Sequence, residues 1–262
     1  MLLNATTALS TPQTLLVPYS AWHVPRYHEW MKDEEIQQAT ASEPLSLQEE
    51  YAMQRSWRED ADKLTFIVCQ PLSTPHSSTD GGVGLSVADD SPERMIGDIN
   101  LFLRVEEDDD EDENVNEKKE SQPCIIGEIE LMIAEKKDQG RGYGKAALLT
   151  FLQYILSHEE AVLCEYVSGD AEAKRALASS GDPTMVKEGS HLKFSALSVK
   201  IGQANERSLK LFEGLGFKKV GDAPNYFGEW ELRVQGAELG SYIDMVKGKM
   251  EGYREVRYGR TG

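Results

Sequence analysis

Three glycines at every second position, Gly140, Gly142 and Gly144, constrain this chain more than any other stretch. They follow a strand-like run over 124–134 and precede a helix-like run over 145–156. Without side chains, the backbone N–H groups of such a turn lie bare at the positive end of a helix, where they can bind phosphate oxygens. The order of strand, glycine loop and helix therefore predicts a phosphorylated ligand, although a glycine turn that is merely a flexible connection has the same appearance.

Two common phosphate-binding loops do not fit this stretch. A P-loop requires Gly, four residues and then Gly-Lys-Ser/Thr, but Gln139 stands at the first glycine position and Ala146 replaces the hydroxyl residue. The dinucleotide fingerprint needs glycine where Lys145 lies, and it expects the loop early in a chain. The stretch does fit Gln/Arg-x-x-Gly-x-Gly, with Gln139, Gly142 and Gly144 at the fixed positions. In this it resembles the loop that binds the pyrophosphate of acetyl-coenzyme A in the GNAT superfamily of N-acetyltransferases.

A second motif with the same resemblance follows one strand later. Residues 205–217 read NERSLKLFEGLGF, which is similar to the GNAT pattern N-x-x-S/A-x-x-L-Y/F-x-x-x-G-F. The order of elements that we predict along the chain, β-α-α-β-β-β-loop-α-β-α-β-β, is also that of a GNAT domain. We therefore predict an α/β protein with the GNAT (acyl-CoA N-acyltransferase) fold, a mixed and mostly antiparallel sheet flanked by helices.

A closer resemblance covers most of the chain between 14 and 235. The segments 17–31, 41–54 and 57–68 resemble the N-acetyltransferase 9 family, and the likeness continues through 127–135 to Phe217. Members of that family are described as acetylating the amino termini of α- and β-tubulin. The resemblance thus implies acetyl-CoA as co-substrate and a protein amino terminus, that of tubulin, as acceptor.

The chain is expected to form one domain over 14–235, because 262 residues suffice for one good core with some excess length. Insertions are expected at 71–92, 106–120 and 165–190, the last of them mostly irregular with a short helix over 172–178. Residues 236–262 are expected to be a C-terminal tail, either mobile or folded as a short helix around Tyr242, Ile243 and Met245.

Two strands are expected to form a hairpin on either side of the second insertion. The segments 96–101 and 126–131 share the pattern Ile-Gly-acid-Ile-x-Leu, which suits adjacent antiparallel strands. The insertion at the tip holds ten acidic residues and two lysines between 106 and 120. Such a run cannot bury enough apolar surface to fold, so we expect a disordered acidic loop, either merely tolerated or used in recruitment.

The remaining composition excludes several classes of function. A formal net charge of −17 argues against nucleic-acid binding, which requires a basic surface. No apolar run approaches the roughly 18 residues that span a bilayer, and the first 14 residues lack the features of a secretory signal. The three cysteines and five histidines show no metal-ligand spacing, so we expect buried free thiols, no metal and a cytoplasmic protein.

Glu128 and Glu130 are the candidate catalytic residues. The acceptor amine must lose a proton before it can attack the thioester, and both carboxylates lie on one face of the strand before the glycine loop. Glu128 precedes Gln139 by eleven residues, which matches the general base of the histone-acetyltransferase branch, so we place it first and Glu130 second. Either carboxylate could instead be simply solvated or bind the incoming amine as a counter-charge.

Further candidates follow from the resemblance to GNAT enzymes. The backbone near Ile133 and Ala134 is expected to hold the thioester carbonyl, and Asn205 and Ser208 to face the coenzyme. Many GNAT enzymes have a tyrosine as general acid where this chain has Phe212, so Tyr226, water or an unassisted thiolate would replace it. Residues expected to surround the pyrophosphate are Gln139, Gly140, Arg141, Gly142, Tyr143, Gly144 and Lys145. Arg141 and Lys145 are equally well read as ordinary exposed residues, and Tyr143 as a packing residue.

Three functions remain open on the sequence. The leading one is acetylation of a protein amino terminus. The second is acetylation of a small amine such as a polyamine or an antibiotic, which an acidic surface would attract equally well. The third is a non-catalytic protein that binds acyl-CoA and regulates microtubules, for which the phenylalanine at position 212 is an argument and the intact loop a counter-argument.

Overall fold

A computed structural model describes residues 1–40, 42–72, 85–107, 123–179 and 192–259. Within these ranges, nine strands form one mixed sheet in the order β7-β8-β6-β5-β4-β3-β2-β1-β9. The strands are β1 (Thr7–Ser10), β2 (Leu15–Pro18), β3 (Lys63–Cys69), β4 (Met95–Glu107), β5 (Pro123–Ile133), β6 (Ala196–Gly202), β7 (Lys218–Lys219), β8 (Glu229–Gln235) and β9 (Arg254–Arg257). The helices are α1 (Val24–Trp30), α2 (Glu34–Ala39), α3 (Leu47–Glu59), α4 (Tyr143–Ser157), α5 (Glu159–Gly169), α6 (Ala171–Ser179), α7 (Glu206–Glu213) and α8 (Gly236–Lys249).

The predicted hairpin is present and forms the centre of the sheet. β4 and β5 pair antiparallel from Gly97 opposite Ile133 to Glu107 opposite Pro123. The shared pattern sets this register, because its apolar residues then fall on one face and its acidic residues on the other. The first two residues of the predicted acidic insertion continue β4, and residues 108–122 lie outside the described ranges.

The junction between β5 and β6 is short. These strands run parallel and pair at three positions, ending with Glu128 opposite Ser198. β5 continues five residues beyond that pair, to Ile133, while β6 continues to Gly202 and pairs on its other side with β8. The two strands therefore diverge towards the glycine loop and leave a gap in the sheet.

Two apolar layers cover the sheet. One is formed by α4, α8 and the inward side of α7, and α4 is buried from Ala146 to Leu156. The other layer contains α1 and the loop before it, with Tyr19, Tyr27 and Trp30 packed against β3 and β4. Helix α3 begins with a capping box, in which Ser46 and Glu49 exchange hydrogen bonds.

One prediction about an irregular segment needs correction, and the structure decides between the two alternatives for the C-terminal tail in favour of a helix. Residues 165–179 are helical: α5 follows α4 after one residue, His158, and α6 begins two residues after α5 ends. Val162, Leu163 and Tyr166 of α5 are buried, which explains why this part folds, and residues 180–191 lie outside the described ranges. Because Cys164 is exposed on α5, the expectation of buried thiols is wrong for that cysteine.

The expected C-terminal tail is also structured. Residues 236–249 form α8, which buries Leu239, Tyr242 and Val246, and β9 extends the sheet beside β1. The hydroxyl of Tyr258 donates to Oδ2 of Asp90 at 2.6 Å, and this carboxylate also accepts from Nε1 of Trp22 at 3.0 Å. Ordered elements thus lie on both sides of the 14–235 segment, whose limits as a domain stay a prediction.

Two of the functional exclusions can be compared with the described residues. Among them, no helix combines the length and the apolar character that crossing a bilayer requires. In the same ranges, no cluster of three His, Cys, Asp or Glu side chains is placed to bind a metal ion.

Candidate active site

The glycine loop leads into α4 with an N-terminus whose amides are bare. Gly140 and Gly142 adopt φ values of +75° and +92°, in the left-handed region that favours glycine. Gly142 is the N-cap residue and supplies no side chain, and the first intrahelical bond runs from the Ala146 N–H to the Gly142 carbonyl. The N–H groups of the first turn before Ala146 therefore have no partner within the helix, which is the arrangement that binds phosphate.

The space around the loop fits a ligand that approaches the backbone closely. A Cβ atom on Gly142 would meet nothing within 4 Å among the described residues. A Cβ on Gly144 would lie 3.7 Å from side-chain atoms of Ile133 and Leu131, an ordinary contact distance that shows how close the first turn of α4 lies to β5. The loop thus leaves open space over Gly142 and places the helix terminus directly beside the divergent part of β5.

Positive charge is available on both sides of the loop. Arg141 lies 3.1 Å from Oδ1 of Asp138 and stacks on the ring of Tyr143, with 5.7 Å from guanidinium carbon to ring centroid. Lys145 lines cavities on both sides of the helix terminus. The sequence analysis missed Arg207, although it lies only two residues after Asn205, at the start of α7. Its Nη2 atom faces the loop and would lie 3.5 Å from a Cβ atom on Gly140.

A cavity of about 510 Å³ joins the loop to the gap between the strands. It brings together most of the residues predicted to bind the coenzyme, from three separate parts of the chain. Its lining includes Ile133, Ala134, Gln139, Gly140, Gly142, Gly144, Lys145, Asn205 and Ser208. A second cavity of about 650 Å³ lies on the other side of the helix terminus and includes Arg141, Tyr143 and Lys249.

The backbone of β5 presents N–H groups to this cavity. The Ala134 N–H donates to the Ile96 carbonyl at 2.9 Å, so it is already engaged with the β4 side. Because hydrogen bonding alternates along an antiparallel pair, the N–H groups of Leu131 and Ile133 point the other way, into the gap. Of the two residues predicted to hold a thioester carbonyl, Ile133 therefore has the suitable amide, and the side chain of Gln139 donates to its carbonyl at 2.8 Å.

Asn205 and Ser208 meet at the same cavity through a helix cap. Oδ1 of Asn205 accepts from the Ser208 N–H at 3.1 Å, which makes Asn205 the N-cap of α7. The predicted helix from Asn205 is confirmed one residue later, at Glu206. The cap fixes the orientation of the Asn205 side chain, and its Nδ2 group is the part left to reach a ligand.

Glu128 and Glu130 share a face of β5 but have different surroundings. Oε2 of Glu128 lies 2.6 Å from Nη1 of Arg104 and 2.9 Å from Nζ of Lys200. Glu128 thus pairs with two cationic side chains. Glu130 lies two residues past the last β5–β6 pair, at the start of the gap, and its side chain is open to solvent there.

The electrostatic setting of Glu130 suits proton transfer. The sheet around Glu130 partly desolvates its exposed side chain, and this desolvation raises the pKa of Glu130 to about 7. The negative charges of Asp98 and Glu128 raise the pKa further, and Lys200 opposes them. A carboxyl group with a pKa near the working pH can both accept and release a proton.

No tyrosine occupies position 212, where many GNAT enzymes have the general acid. Phe212 is buried and packs edge-on against Phe217, with ring centroids 5.1 Å apart, and the cavity is lined by Leu211 instead. Tyr226, the alternative, lies on the connection between β7 and β8 with 97% of its surface exposed. Among the described residues near the gap, neither position places a hydroxyl in the cavity.

Helices α1 and α2 contribute further residues beside the cavity. Nε1 of Trp30 donates to Oε1 of Glu135 at 2.7 Å, and Arg26 pairs with the same carboxylate. Helix α2, which was not predicted, lines the cavity with Ile36 and Ala39, and Glu35 holds Lys136 at 2.8 Å. Its short polar sequence has few apolar positions, which explains why periodicity did not reveal it.

Comparison with known proteins agrees with this geometry. Residues 13–218 match the model of a family described as "Acetyltransferase (GNAT) domain". A solved acetyltransferase of the GNAT family from Bacillus anthracis superimposes with a TM-score of 0.51 at 10% identity, covering 88% of this chain and 99% of that one. Spermidine N-acetyltransferase from Vibrio cholerae, solved with CoA and spermine, gives 0.50 at 13% identity, covering 87% and 98%. At such identities these structures show the fold.

Relatives with higher sequence identity cover about nine tenths of the chain. An N-acetyltransferase 9-like protein from Schizosaccharomyces pombe is 39% identical over 243 residues, covering 89% of this chain and 98% of its own. Alpha/beta-tubulin-N-acetyltransferase 9 from Homo sapiens is 38% identical over 246 residues, covering 91% and 87%.

The divergent strands, the bare helix terminus and the family match define an acyltransferase with the GNAT fold, so the predicted fold is confirmed. The protein is an N-acetyltransferase. Within the GNAT superfamily, the chain belongs to the N-acetyltransferase 9 family.

Proposed function

We propose that this enzyme transfers the acetyl group of acetyl-CoA to the α-amine of a protein amino terminus, with Glu130 as the general base. The observation that carries this proposal is the position of Glu130. It lies at the start of the gap between β5 and β6, on the opposite face of β5 from the side chains of Leu131 and Ile133, which line the cavity below α4. A thioester in the gap and an amine arriving from the other face would meet beside this carboxylate.

Residues around the cavity supply the binding groups for acetyl-CoA. The first-turn amides of α4, with Arg141, Lys145 and Arg207 nearby, suit the pyrophosphate. The N–H of Ile133 points into the gap, where it can stabilise the negative charge that develops on the thioester oxygen. When bound, acetyl-CoA supplies an activated acetyl group and a thiolate leaving group.

The proton balance assigns a role to each carboxylate. An ammonium acceptor becomes a nucleophile when its proton passes to Glu130. The pKa of Glu130 is raised to about 7, so at neutral pH a large fraction of this carboxyl group is still ionised and can accept the proton. Glu128 pairs with Arg104 and Lys200, and we assign it to the support of β5 and β6. After attack the nitrogen carries a second proton, which it loses as the C–S bond breaks. Because Phe212 has no hydroxyl, water in the open cavity passes this proton to the leaving thiolate.

The acceptor is proposed from the relatives. Those from Homo sapiens and Mus musculus are named alpha/beta-tubulin-N-acetyltransferase 9, and they are 38% and 35% identical to this chain. We propose tubulin amino termini as acceptors, and the cytoplasm as the place of action. A small-amine acceptor and a non-catalytic CoA-binding role are the outcomes to separate from this one.

The test is turnover of acetyl-CoA with a panel of acceptors. Peptides with the amino termini of α- and β-tubulin are compared with the same peptides blocked at the α-amine, with a lysine peptide and with spermidine, and mass spectrometry locates the acetyl group. We expect acetylation of the free α-amine. Turnover with spermidine but not with the peptides would replace the proposal by the small-amine function, and CoA binding without turnover on any amine would leave the non-catalytic one.

A matched pair of variants tests the base. Glu130→Gln is expected to lower kcat by roughly 100- to 10,000-fold while acetyl-CoA still binds. Glu128→Gln, the same change two residues away, is expected to lower it less than tenfold. The reverse ranking would return the base to Glu128, as the sequence alone had placed it.

A further inference from the structure

A row of polar side chains crosses the sheet and ends at the exposed Glu130, and Thr65 and Asn100 within this row are buried. Thr65 of β3 pairs with Asn100 of β4, and Asn100 pairs with Glu130 of β5, so the three side chains lie side by side on one face. Two residues further along the same face of β4 is Asp98, which is 3% exposed. Burying a polar side chain lowers the stability of the fold unless the side chain forms hydrogen bonds, so the buried members of this row require an explanation.

Asn100 joins Asp98 to the position of Glu130. Its Nδ2 group donates to Oδ2 of Asp98 at 2.9 Å. An ionised Asp98 can only accept hydrogen bonds, so it fixes the direction of the Asn100 amide and turns Oδ1 away from itself. Oδ1 of Asn100 is buried and has no hydrogen-bond partner among the described residues, and the same holds for Oγ1 of Thr65.

Oδ1 of Asn100 is a hydrogen-bond acceptor beside the carboxyl group of Glu130, which as a general base must carry a proton during part of the catalytic cycle. A protonated Glu130 has an O–H donor, and an ionised Glu130 has none. Asn100 lies directly opposite Glu130 in the β4–β5 pair, within side-chain reach. The Asn100 oxygen therefore complements the protonated form of Glu130.

Helix α1 holds Asp98 from the other side. The hydroxyl of Tyr27 lies 3.4 Å from Oδ2 of Asp98, and Tyr27 is itself buried against Tyr19 with ring centroids 5.2 Å apart. Burial raises the pKa of Asp98 to about 6, against the lowering effect of the hydrogen bonds from Asn100 and Tyr27. Asp98 is thus ionised at neutral pH, in a place where its charge is poorly screened.

We propose that Asp98 is a positioning residue which, through Asn100 and through its own charge, controls when Glu130 takes up and releases the proton of the acceptor amine. This inference rests on the proposed function, in which Glu130 is the base. The N–H bond of the ammonium breaks with its electron pair left on nitrogen, and an O–H bond forms on Glu130. Asn100 accepts a hydrogen bond from that O–H, and the proton then leaves to solvent through the open side of the gap.

The charged groups around Glu130 give the direction of the effect. Asp98 on β4, Glu128 on β5 and Glu229 on β8 are negative and favour the protonated form, whereas Lys200 on β6 disfavours it. Asp98 is the largest of these charges in its influence. Removing its charge must lower the pKa of Glu130, so that the base stays ionised in more acidic solution.

The experiment is the pH profile of kcat/KM for the full-length enzyme and three variants. Asp98→Asn keeps an oxygen that can accept from Asn100 and Tyr27 but removes the charge. Tyr27→Phe removes one donor from Asp98, which favours its neutral form. Thr65→Val changes the same polar row without changing any charge and serves as the control.

We expect Asp98→Asn to move the midpoint of the acidic limb to lower pH by on the order of one unit. Tyr27→Phe should move it in the same direction by less, which keeps the test valid if Asp98→Asn folds poorly, and Thr65→Val should leave it unchanged. An unchanged midpoint in both Asp98→Asn and Tyr27→Phe, with Glu130→Gln inactive, would overturn this inference and leave the proposed base intact. Full activity of Glu130→Gln would instead overturn the proposed base.

Discussion

Oε2 of Glu128 lies 2.6 Å from Nη1 of Arg104, so the carboxylate that the sequence ranks first as base is bound in an ion pair between two strands. Lys200 contacts the same oxygen at 2.9 Å from the third strand, β6. Because β6 joins β5 by only three backbone pairs in the described structure, the Lys200–Glu128 bond reinforces this junction, while the Arg104–Glu128 bond joins β4 to β5. Of the two glutamates on this strand, Glu128 thus stabilises the sheet, whereas Glu130 is proposed as the general base.

The first prediction concerns this ion pair. Glu128→Gln should lower the free energy of unfolding by about 1 kcal/mol, because the pair is partly exposed and solvent screens it. Urea unfolding at low and high salt measures the effect, which should shrink as salt rises. A loss above about 3 kcal/mol would show that the carboxylate is far better shielded than its contacts indicate.

The second prediction is the pH dependence of acetyl transfer. A base with a pKa of about 7 is ionised above that pH and protonated below it, so kcat/KM should fall as the pH drops through 7. Rates measured from pH 5.5 to 9, at each pH over a series of acceptor concentrations that reaches saturation, give kcat/KM and the midpoint of its fall. A flat profile down to pH 5.5 would exclude Glu130 as a base with this pKa.

The third prediction uses two glycines of the loop. Gly142→Ala should destabilise the protein by about 1 to 2 kcal/mol, because φ of +92° is strained for a residue with a Cβ. Gly144→Ala should keep or slightly raise stability, because it adds a good helix former with ordinary contacts at 3.7 Å. Thermal melts of both variants, each with and without CoA, separate strain from loss of ligand binding; equal melting temperatures would contradict the prediction.

The fourth prediction concerns the stability cost of Asp98. Its folded-state pKa of about 6 lies above the ordinary value of 3.8, so stability is lost as the pH rises through this window and stays lower above it. Asp98→Asn removes the ionised form and should raise the free energy of unfolding by roughly 2 kcal/mol at pH 7.5. At pH 4 the variant and the parent should be alike; a gain of the same size at both pH values would point to packing instead of charge.

The fifth prediction concerns Asp90, which ties the C-terminal strand to the fold. Burial alone would raise the pKa of Asp90, but hydrogen bonds from His23, Tyr258 and Trp22 outweigh it and hold the pKa well below its usual range. The stabilisation is therefore present above pH 4 and is lost only in stronger acid. Asp90→Asn should cost about 2 kcal/mol at pH 7, and Tyr258→Phe, which removes one of these bonds, about 1 kcal/mol.

Hydrogen exchange gives the matching structural measurement. In Asp90→Asn the amides of β9 should exchange faster, while those of β4 and β5 should keep their protection. Uniformly faster exchange through the whole sheet would mean that Asp90 supports the fold globally and not β9 in particular.

The elements around the site could be predicted because their signals are local. The pattern that β4 and β5 share is short in sequence, and the structure has this hairpin where it was predicted. The caps at Ser46 and Asn205 are likewise formed by residues within one turn of each other. The glycine loop also behaves as its sequence indicates, since two of its glycines need positive φ values.

The elements that were missed depend on distant partners. β9 reads REVR, with no apolar alternation, and it becomes a strand because β1 offers it an edge. Helix α5 follows α4 so closely that the pair has no turn signal between them. The choice between Glu128 and Glu130 was similarly out of reach, because it depends on Arg104 and Lys200 from neighbouring strands.

The narrow junction between β5 and β6 makes the acyl donor a structural part of the enzyme. An acyl donor that contacts both the amides of β5 and the N-cap of α7 would connect the part of the sheet formed by β6, β7 and β8 to the part that begins at β5. At a concentration 100 times its dissociation constant, a ligand adds about 2.7 kcal/mol to the stability of the state that binds it. The lifetime of the folded enzyme should therefore rise and fall with the supply of the metabolite that it consumes.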